Sequence, residues 1–177
     1  PSAQGGMRSL LAPPSALVVP TGHWALGTGH SSSGPRPRVA MFTPLPPVES
    51  GIAQYSAELL PLLGRALQID VFVDDERQGG DFGGTVQVVP IRRFERMHRA
   101  RPYDAIIYQM GNSPAHAAMW PLVRRYPGLL VLHDYALHHL HVWLAVNRRQ
   151  LDYYRAEMRA RYGAAGAAVA LKTLRGQ

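Results

Sequence analysis

The sequence contains no cysteine among its 177 residues, which excludes disulfide bridges and thiolate metal ligands. It also has no apolar run that approaches the roughly 18 residues of a membrane-spanning helix. The opening segment at 1–20 breaks its apolar stretch with proline before the hydrophobic region of a secretory signal could form. Together these absences favour a reducing compartment, and the cytoplasm is the expected location.

Acidic residues are outnumbered, and the formal net charge is +7, from 19 Lys and Arg against 12 Asp and Glu. The arginines occur in separated pairs at 92–93, 124–125 and 148–149 rather than in one tract, which is typical of solvated helix faces. The sequence has no aromatic-basic signature of an RNA-binding module, so nucleic acid is not an expected partner. A basic surface does favour anionic ligands such as sugar nucleotides, and peripheral contact with an anionic membrane face.

The order of apolar and polar segments predicts a leader followed by one domain. Residues 1–37 are rich in Gly, Pro and Ser and lack a sustained period, which predicts disorder. Strands are expected at 39–42, 69–73, 86–89, 103–108 and 128–132, and helices at 52–67, 92–99, 114–125, 135–146 and 148–174. Pro61 should kink the first helix, and Gly163 and Gly166 should interrupt the last. The alternation predicts an α/β domain at 38–177 with a Rossmann-like, doubly wound and mostly parallel sheet.

The first strand-to-helix junction is one candidate binding loop. The strand is followed by Pro-Pro and then by Glu-Ser-Gly, so Ser50, Gly51 and Ile52 lie where the helix begins. A glycine there allows close approach of a ligand, and the free N–H groups of the helix start suit phosphate or sugar hydroxyls. The alternative is that Ser50 is a plain N-cap and Gly51 a turn residue. The spacing is neither a Walker loop nor G-x-G-x-x-G, so neither NTP nor dinucleotide binding is implied.

Two further junctions carry polar residues at the ends of apolar strands. Gln109, Gly111 and Asn112 follow the fourth strand, and their amides suit sugar hydroxyls, although Asn beside Gly is also common in turns. His133 and Asp134 follow the fifth strand, which reads as buried. An imidazole there is costly to desolvate unless it is bonded or used, and a hydrogen-bonded core histidine is the alternative. Because ligands bind beyond the carboxyl ends of parallel strands, the junctions should converge on one crevice.

The histidines at 138, 139 and 141, together with His133, raise the question of a metal site. Their spacing fits no standard zinc pattern, and no carboxylate or cysteine lies in a matching register. No metal or other cofactor is therefore expected. A magnesium-binding receiver domain is also disfavoured, because the first strand ends in Phe42-Thr43-Pro44 rather than in acidic residues.

At these same residues the chain resembles the N-terminal domain of family 4 glycosyltransferases, which have the GT-B fold. The resemblance covers about 38–171 and rests on three segments: PLPPVESGIAQYSAELLPLL, YDAIIYQMGNSPAHAAMWPLVRRYPGLLVLHDYALHHL and DYYRAEMRARYGAAG. The middle segment is similar to a subgroup with a Gln-x-Gly-Asn segment and a strand ending in His-Asp. The resemblance implies one half of a retaining enzyme that transfers a sugar from a nucleotide-sugar donor to a carbohydrate or lipid-linked acceptor. A free-standing α/β ligand-binding or regulatory domain without catalysis is the alternative.

The resemblance also implies roles for single residues. His133 would be the catalytic residue, bonded to a donor-sugar hydroxyl near the reacting carbon. The donor or its phosphates would contact Ser50, Gly51 and Ile52, and the acceptor side would comprise Gln109, Gly111, Asn112 and Asp134. The Glu-x7-Glu motif of the family's donor-binding half is missing, because the five glutamates at 49, 58, 76, 95 and 157 contain no pair at that spacing. We therefore expect a fragment that lacks the C-terminal donor-binding domain and is inactive alone.

Overall fold

The computed structural model describes residues 34–147 and 151–175 of the chain. Most of the leader expected at 1–37 lies outside the described residues, which include only its last four positions. These four residues are exposed, and the carbonyl of Pro37 accepts a hydrogen bond from the N–H of Gln68 at 2.9 Å. The first strand of the described residues begins at Arg38, within one residue of the expected 39–42.

The centre of the domain is a five-stranded sheet in the order β3-β2-β1-β4-β5, in which every adjacent pair is parallel. Its strands are β1 (Arg38–Phe42), β2 (Gln68–Val73), β3 (Val86–Pro90), β4 (Ala105–Met110) and β5 (Leu129–Leu132). In the middle of the sheet, Met41 of β1 is aligned with Val71 on one side and with Ile107 on the other. The predicted α/β fold with a parallel sheet is confirmed.

Helices connect these strands and close the domain. They are α1 (Gly51–Leu63), α2 (Phe94–Ala100), α3 (Trp120–Arg125), α4 (His138–Asn147) and α5 (Leu151–Leu174), with short 3-10 turns at Ile91–Arg93 and Pro114–His116.

The helix expected at 114–125 is therefore divided into a 3-10 turn and α3. Gly163 does interrupt α5, with φ of 65°, whereas Gly166 lies in helix beyond the bend and packs against the backbone of Met158.

Both faces of the sheet are buried, which explains why the central strands read as continuous apolar runs. On one face, Phe42 stacks between Phe72 and Tyr108, at ring distances of 5.1 and 4.8 Å, and Phe94 of α2 meets it edge-on. Helices α3 and α4 pack on this same face. On the other face, Met41 and Val71 pack against Leu60 of α1. Helices on both faces make the sheet doubly wound, as predicted.

The strand order reverses between β1 and β4, because the chain proceeds from β1 towards β2 and β3 and then returns to β4 and β5. In open α/β sheets this switch point is where ligands bind, in a crevice outside the carboxyl ends of the two strands. The loops that follow β1 and β4 contain two of the candidate junctions. The fold therefore puts the polar residues of these loops beside one crevice.

Candidate functional site

The first part of the candidate site is the N-terminus of α1. Ser50 is its N-cap, in an extended conformation, and its Oγ accepts the N–H of Ala53 at 3.1 Å. The N–H groups of Gly51 and Ile52 have no intrahelical acceptor, as in the first turn of every helix, and are available to a ligand. Gly51 is exposed, and a Cβ atom added to it would have no neighbour within 4 Å. Ser50 thus has the capping role, while Gly51 leaves open space at the positive end of the helix.

The loop between β1 and α1 is held by buried polar contacts. The N–H of Leu45 donates to Oε1 of Gln78 at 2.8 Å, and the carbonyl of Pro46 accepts the N–H of Gly79 at 2.9 Å. At the strand end, the buried hydroxyls of Thr43 and Ser56 lie 2.6 Å apart. These bonds fix the start of α1 relative to the sheet without using any candidate ligand group.

Gly111 is the point at which the three junctions meet. It is buried directly after β4, and a Cβ atom added to it would collide with Cδ1 of Ile52. The same atom would lie 2.8 Å from Nε2 of His116 and 3.1 Å from Oδ2 of Asp134. Glycine is required here by packing, not by a left-handed backbone. The predicted convergence of the β1, β4 and β5 junctions is therefore present in the structure.

Asn112 and Asp134 connect the loops after β4 and β5. Oδ2 of Asp134 accepts the backbone N–H of Asn112 at 2.6 Å. Oδ1 of Asn112 accepts the N–H of Leu140 at 3.1 Å, in the first turn of α4. The amide oxygen of Asn112 thus positions α4, and its amide nitrogen remains for a ligand. Asp134 is itself exposed.

Gln109 does not lie in a loop, as the sequence predicted, but inside β4, where only 3% of it is exposed. The strand continues through Met110 because β5 pairs with it, with Gln109 opposite Val131. Its side-chain Oε1 is 2.6 Å from Nε2 of His133, and its backbone carbonyl is 3.1 Å from Nδ1 of His116. Gln109 therefore contributes to the site by hydrogen-bonding two histidines, His133 and His116.

His133 lies at the end of β5 with its ring exposed. Since an amide oxygen only accepts, Nε2 of His133 carries the proton that bonds Gln109, and Nδ1 is the acceptor of the neutral ring. The ring of Tyr55, one turn into α1, meets His133 edge-on at 5.3 Å. The expectation that β5 is buried is wrong: it is an edge strand, and Leu129 and Leu132 are 61% and 54% exposed. His133 is itself exposed and so is not a core residue, although its ring is hydrogen-bonded, as the alternative of a hydrogen-bonded core histidine expected.

His116 is a site residue that the sequence reasoning missed. It is 1% exposed, and its Nδ1–H donates to the carbonyl of Gln109. Burial lowers the pKa of His116, and the hydrogen bond to Gln109 and the charge of Asp134 oppose that shift only in part. The ring is thus neutral near pH 7. The one sequence signal that could have pointed to His116 was its position after Pro114, in the same loop as Asn112. For Tyr55 the sequence offered only its distance of one helical turn from Gly51.

The other histidines make separate contacts. His138 lies 3.3 Å from the hydroxyl of Tyr154, and His141 meets the ring of Trp120 edge-on at 4.8 Å. Within 34–147 and 151–175, no three His, Asp or Glu side chains are arranged to hold a metal ion.

Comparison of the chain with protein-family models, with curated proteins and with solved structures gives no match in any of the three. The helices of the described part of the chain include none with the length and apolar character needed to cross a membrane. The site's own chemistry is thus the basis for a functional assignment. The site combines the free N–H donors of Gly51 and Ile52, the imidazole of His133 and the carboxylate of Asp134. These groups suit a ligand with hydroxyl and phosphate groups.

Proposed function

We propose that this chain is the N-terminal, acceptor-side half of a retaining glycosyltransferase with the GT-B fold, similar to family 4. The observation that carries the proposal is the meeting of three junctions at Gly111, beside the switch point of a doubly wound sheet. Each junction brings a group suited to a nucleotide-sugar or a hydroxylated acceptor. These are the helix start at Gly51, the amide of Asn112 and the imidazole of His133.

In this proposal the donor lies between the start of α1 and His133. The N–H groups of Gly51 and Ile52 bind the donor phosphates or the sugar, and Nδ1 of His133 accepts a hydrogen bond from a donor-sugar hydroxyl. Gln109 is a positioning residue, because its bond to Nε2 determines the tautomer of His133. Asn112 and Asp134 line the acceptor side, next to the buried backbone of Gly111.

Transfer would occur on one face of the sugar, without a covalent enzyme intermediate. The bond from the anomeric carbon to the phosphate oxygen breaks, a bond to the acceptor oxygen forms, and the acceptor proton passes to the departing phosphate. The protein's contribution is positioning and stabilisation of charge. In the proposed enzyme, a C-terminal domain of the same polypeptide would complete donor binding, and the 177 residues alone would be inactive.

The net charge of +7 supports an anionic donor and peripheral contact with an anionic membrane surface. We accordingly propose that the enzyme acts in the cytoplasm, at or near the inner face of the membrane, on a carbohydrate or lipid-linked acceptor.

The test compares His133→Ala with His139→Ala in the full-length protein. Loss of a positioned hydrogen-bonding group at the reacting sugar should lower kcat by roughly 10²-fold, on the scale of one oxyanion-hole donor. His139 is exposed on α4, where its ring meets that of the neighbouring His138, so its variant should keep normal turnover. Normal kcat in a folded His133→Ala protein would refute the assignment. Binding of nucleotide-sugar by the full-length protein with no turnover would favour the alternative, a non-catalytic ligand-binding domain.

A further inference from the structure

His116 has one ring nitrogen that the fold does not use. The residue is only 1% exposed, and its Nδ1–H donates to the backbone carbonyl of Gln109 at 3.1 Å. Nε2 makes no hydrogen bond within residues 34–147 and 151–175, yet no buried side-chain nitrogen or oxygen of these residues lacks a partner. Nε2 is therefore not sealed inside the protein, and a group the size of a water molecule or a hydroxyl can reach it.

This nitrogen is a hydrogen-bond acceptor. Because Nδ1 carries the proton that bonds Gln109, the other nitrogen of the neutral ring has a free lone pair. Burial lowers the pKa of His116, and the opposing effects of Gln109 and Asp134 are smaller, so the ring is neutral near pH 7. A ligand group that binds Nε2 must accordingly be a donor.

A second acceptor lies beside the first. Nε2 of His116 and Oδ2 of Asp134 lie 2.8 and 3.1 Å from the position that a Cβ atom on Gly111 would occupy, so both are next to the same point. His116 bonds Gln109 and Asp134 bonds Asn112, and the two side chains do not bond each other. Oδ2 accepts one N–H, that of Asn112 at 2.6 Å, and a carboxylate oxygen can accept a second hydrogen bond.

Two neighbouring acceptors select a ligand with two donors. A single hydroxyl has one hydrogen and would turn a lone pair towards the second acceptor, whereas hydroxyls on adjacent carbons can each donate to one. A phosphate would bring a negative charge that Asp134 repels. An ammonium group also has several donors, but the net charge of +7 on the chain opposes a cation. Adjacent hydroxyls, as on a sugar ring, thus fit this part of the site best.

We propose that His116 and Asp134 together bind two neighbouring hydroxyl groups of the acceptor sugar, which makes His116 a binding residue of the candidate site. This proposal rests on the proposed glycosyltransferase function, which supplies the acceptor. It predicts that the part of the acceptor bound here is an uncharged sugar ring rather than a phosphate.

The test is an NMR titration of the 177-residue chain with the methyl α-glycosides of glucose, mannose and galactose, each of which has adjacent hydroxyls. At least one sugar should bind saturably, and the nitrogen signal of His116 Nε2 should move as its lone pair accepts a hydrogen bond. His98 is the internal control, because its Nδ1 accepts the N–H of Tyr103 at 3.2 Å at the other end of β4. Its signals should stay in place. This measurement needs no variant, so it does not depend on a variant that folds.

A pair of variants measures what Nε2 contributes to affinity. His116→Asn can still donate to the Gln109 carbonyl but has no acceptor at the place of Nε2, so it should weaken sugar binding by about tenfold, the loss of roughly one hydrogen bond. His98→Asn is the matched control, since its amide oxygen can still accept the N–H of Tyr103, and it should bind normally. Single-deoxy forms of the bound sugar test the ligand side. Removal of either hydroxyl of the recognised pair should weaken binding by a similar factor.

Four results would each overturn the proposal. These are no binding of any of the three sugars, a His116 signal that moves no more than that of His98, wild-type affinity in folded His116→Asn, and single-deoxy sugars that all bind as well as the parent.

The two proposals fail separately. If sugar binding depends on His116 but the full-length protein transfers no sugar, the glycosyltransferase assignment fails and the sugar site remains. If transfer occurs and His116→Asn keeps a normal affinity for the sugar, only the assignment of His116 fails.

Discussion

Two glycines of the candidate site, Gly51 and Gly111, differ in what a side chain would meet. A Cβ atom at Gly111 would collide with Ile52 and lie 2.8 Å from His116, whereas at Gly51 it would meet nothing. Neither glycine has a positive φ, so the difference lies in packing. Gly111→Ala should therefore lower the free energy of unfolding by about 1–3 kcal/mol, as overpacking does. Urea denaturation measures it, and Gly51→Ala is the control that should change stability little. Equal effects of the two changes would contradict this account.

At the opposite end of the sheet, Arg38 and Asp70 form a buried ion pair. Nη2 of Arg38 lies 2.5 Å from Oδ2 of Asp70, and the Tyr103 hydroxyl donates to the same oxygen at 2.7 Å. The guanidinium also lies over the ring of Tyr103, 3.9 Å from its centroid. Such a cluster stabilises the fold only while every partner is present.

We predict that Asp70→Ala costs about 3–5 kcal/mol of unfolding free energy, because it leaves Arg38 buried without a counter-charge. The control is Glu95→Ala, which removes the exposed pair with Arg125 and should cost no more than about 1 kcal/mol. Chemical denaturation of both variants gives the comparison. Similar small losses would show that water reaches Arg38 and replaces the carboxylate.

At the residue scale, position after a strand was the signal that pointed to Gly51, Asn112, His133 and Asp134 as candidates. The structure brings the three junctions that carry them together. Tyr55 and His116 were missed, because their contacts depend on how α1 and the 3-10 turn pack on the sheet. That packing involves residues distant in sequence and leaves no local pattern.

At the element scale, the start of α1 is the part of the site with the clearest physical role. If its free N–H groups bind the donor, a branched side chain at Gly51 should block the approach without disturbing the fold. We predict that Gly51→Val weakens nucleotide-sugar binding to the full-length protein by at least about tenfold, the loss of roughly one charge-assisted hydrogen bond.

Gly84→Val is the control for this change. Gly84 is also exposed, and a Cβ atom added there meets nothing within 4 Å. It lies before β3, away from the crevice, so its variant should bind the donor normally. Calorimetric titration measures both affinities, and unchanged binding in Gly51→Val would leave Gly51 as a plain residue of the first helical turn.

The elements themselves were largely predictable. The periods of apolar residues gave all five strands and the helices α1, α2, α4 and α5 to within a few residues. Two errors concern this edge of the sheet: β5 was expected to be buried, and β4 was expected to end before Gln109. Four apolar residues in a row do not distinguish a central strand from an edge strand. The pairing with β5 carries β4 two residues further, so that the strand covers Ala105–Met110 rather than 103–108.

At the scale of the whole molecule, His116 and His141 link stability to pH. Burial lowers the pKa of both rings below their ordinary value of 6.5. The unfolded chain therefore binds protons at a higher pH than the folded chain does. Their contribution to stability is full above about pH 6.5 and is lost as the pH falls from there through the lower pKa values of the folded state.

We predict that the free energy of unfolding, measured in urea, decreases between about pH 7.5 and about pH 5.5, a range in which carboxylates remain mostly ionised. The double variant His116→Asn, His141→Phe should lose most of this decrease, because Asn can still donate to the Gln109 carbonyl and Phe can still pack on Trp120. His139→Ala, which removes an exposed ring, should retain it. Since the readout is the slope with pH, a uniform loss of stability in the double variant does not obscure the result. The same slope in all three proteins would mean that the two buried rings do not carry the pH dependence.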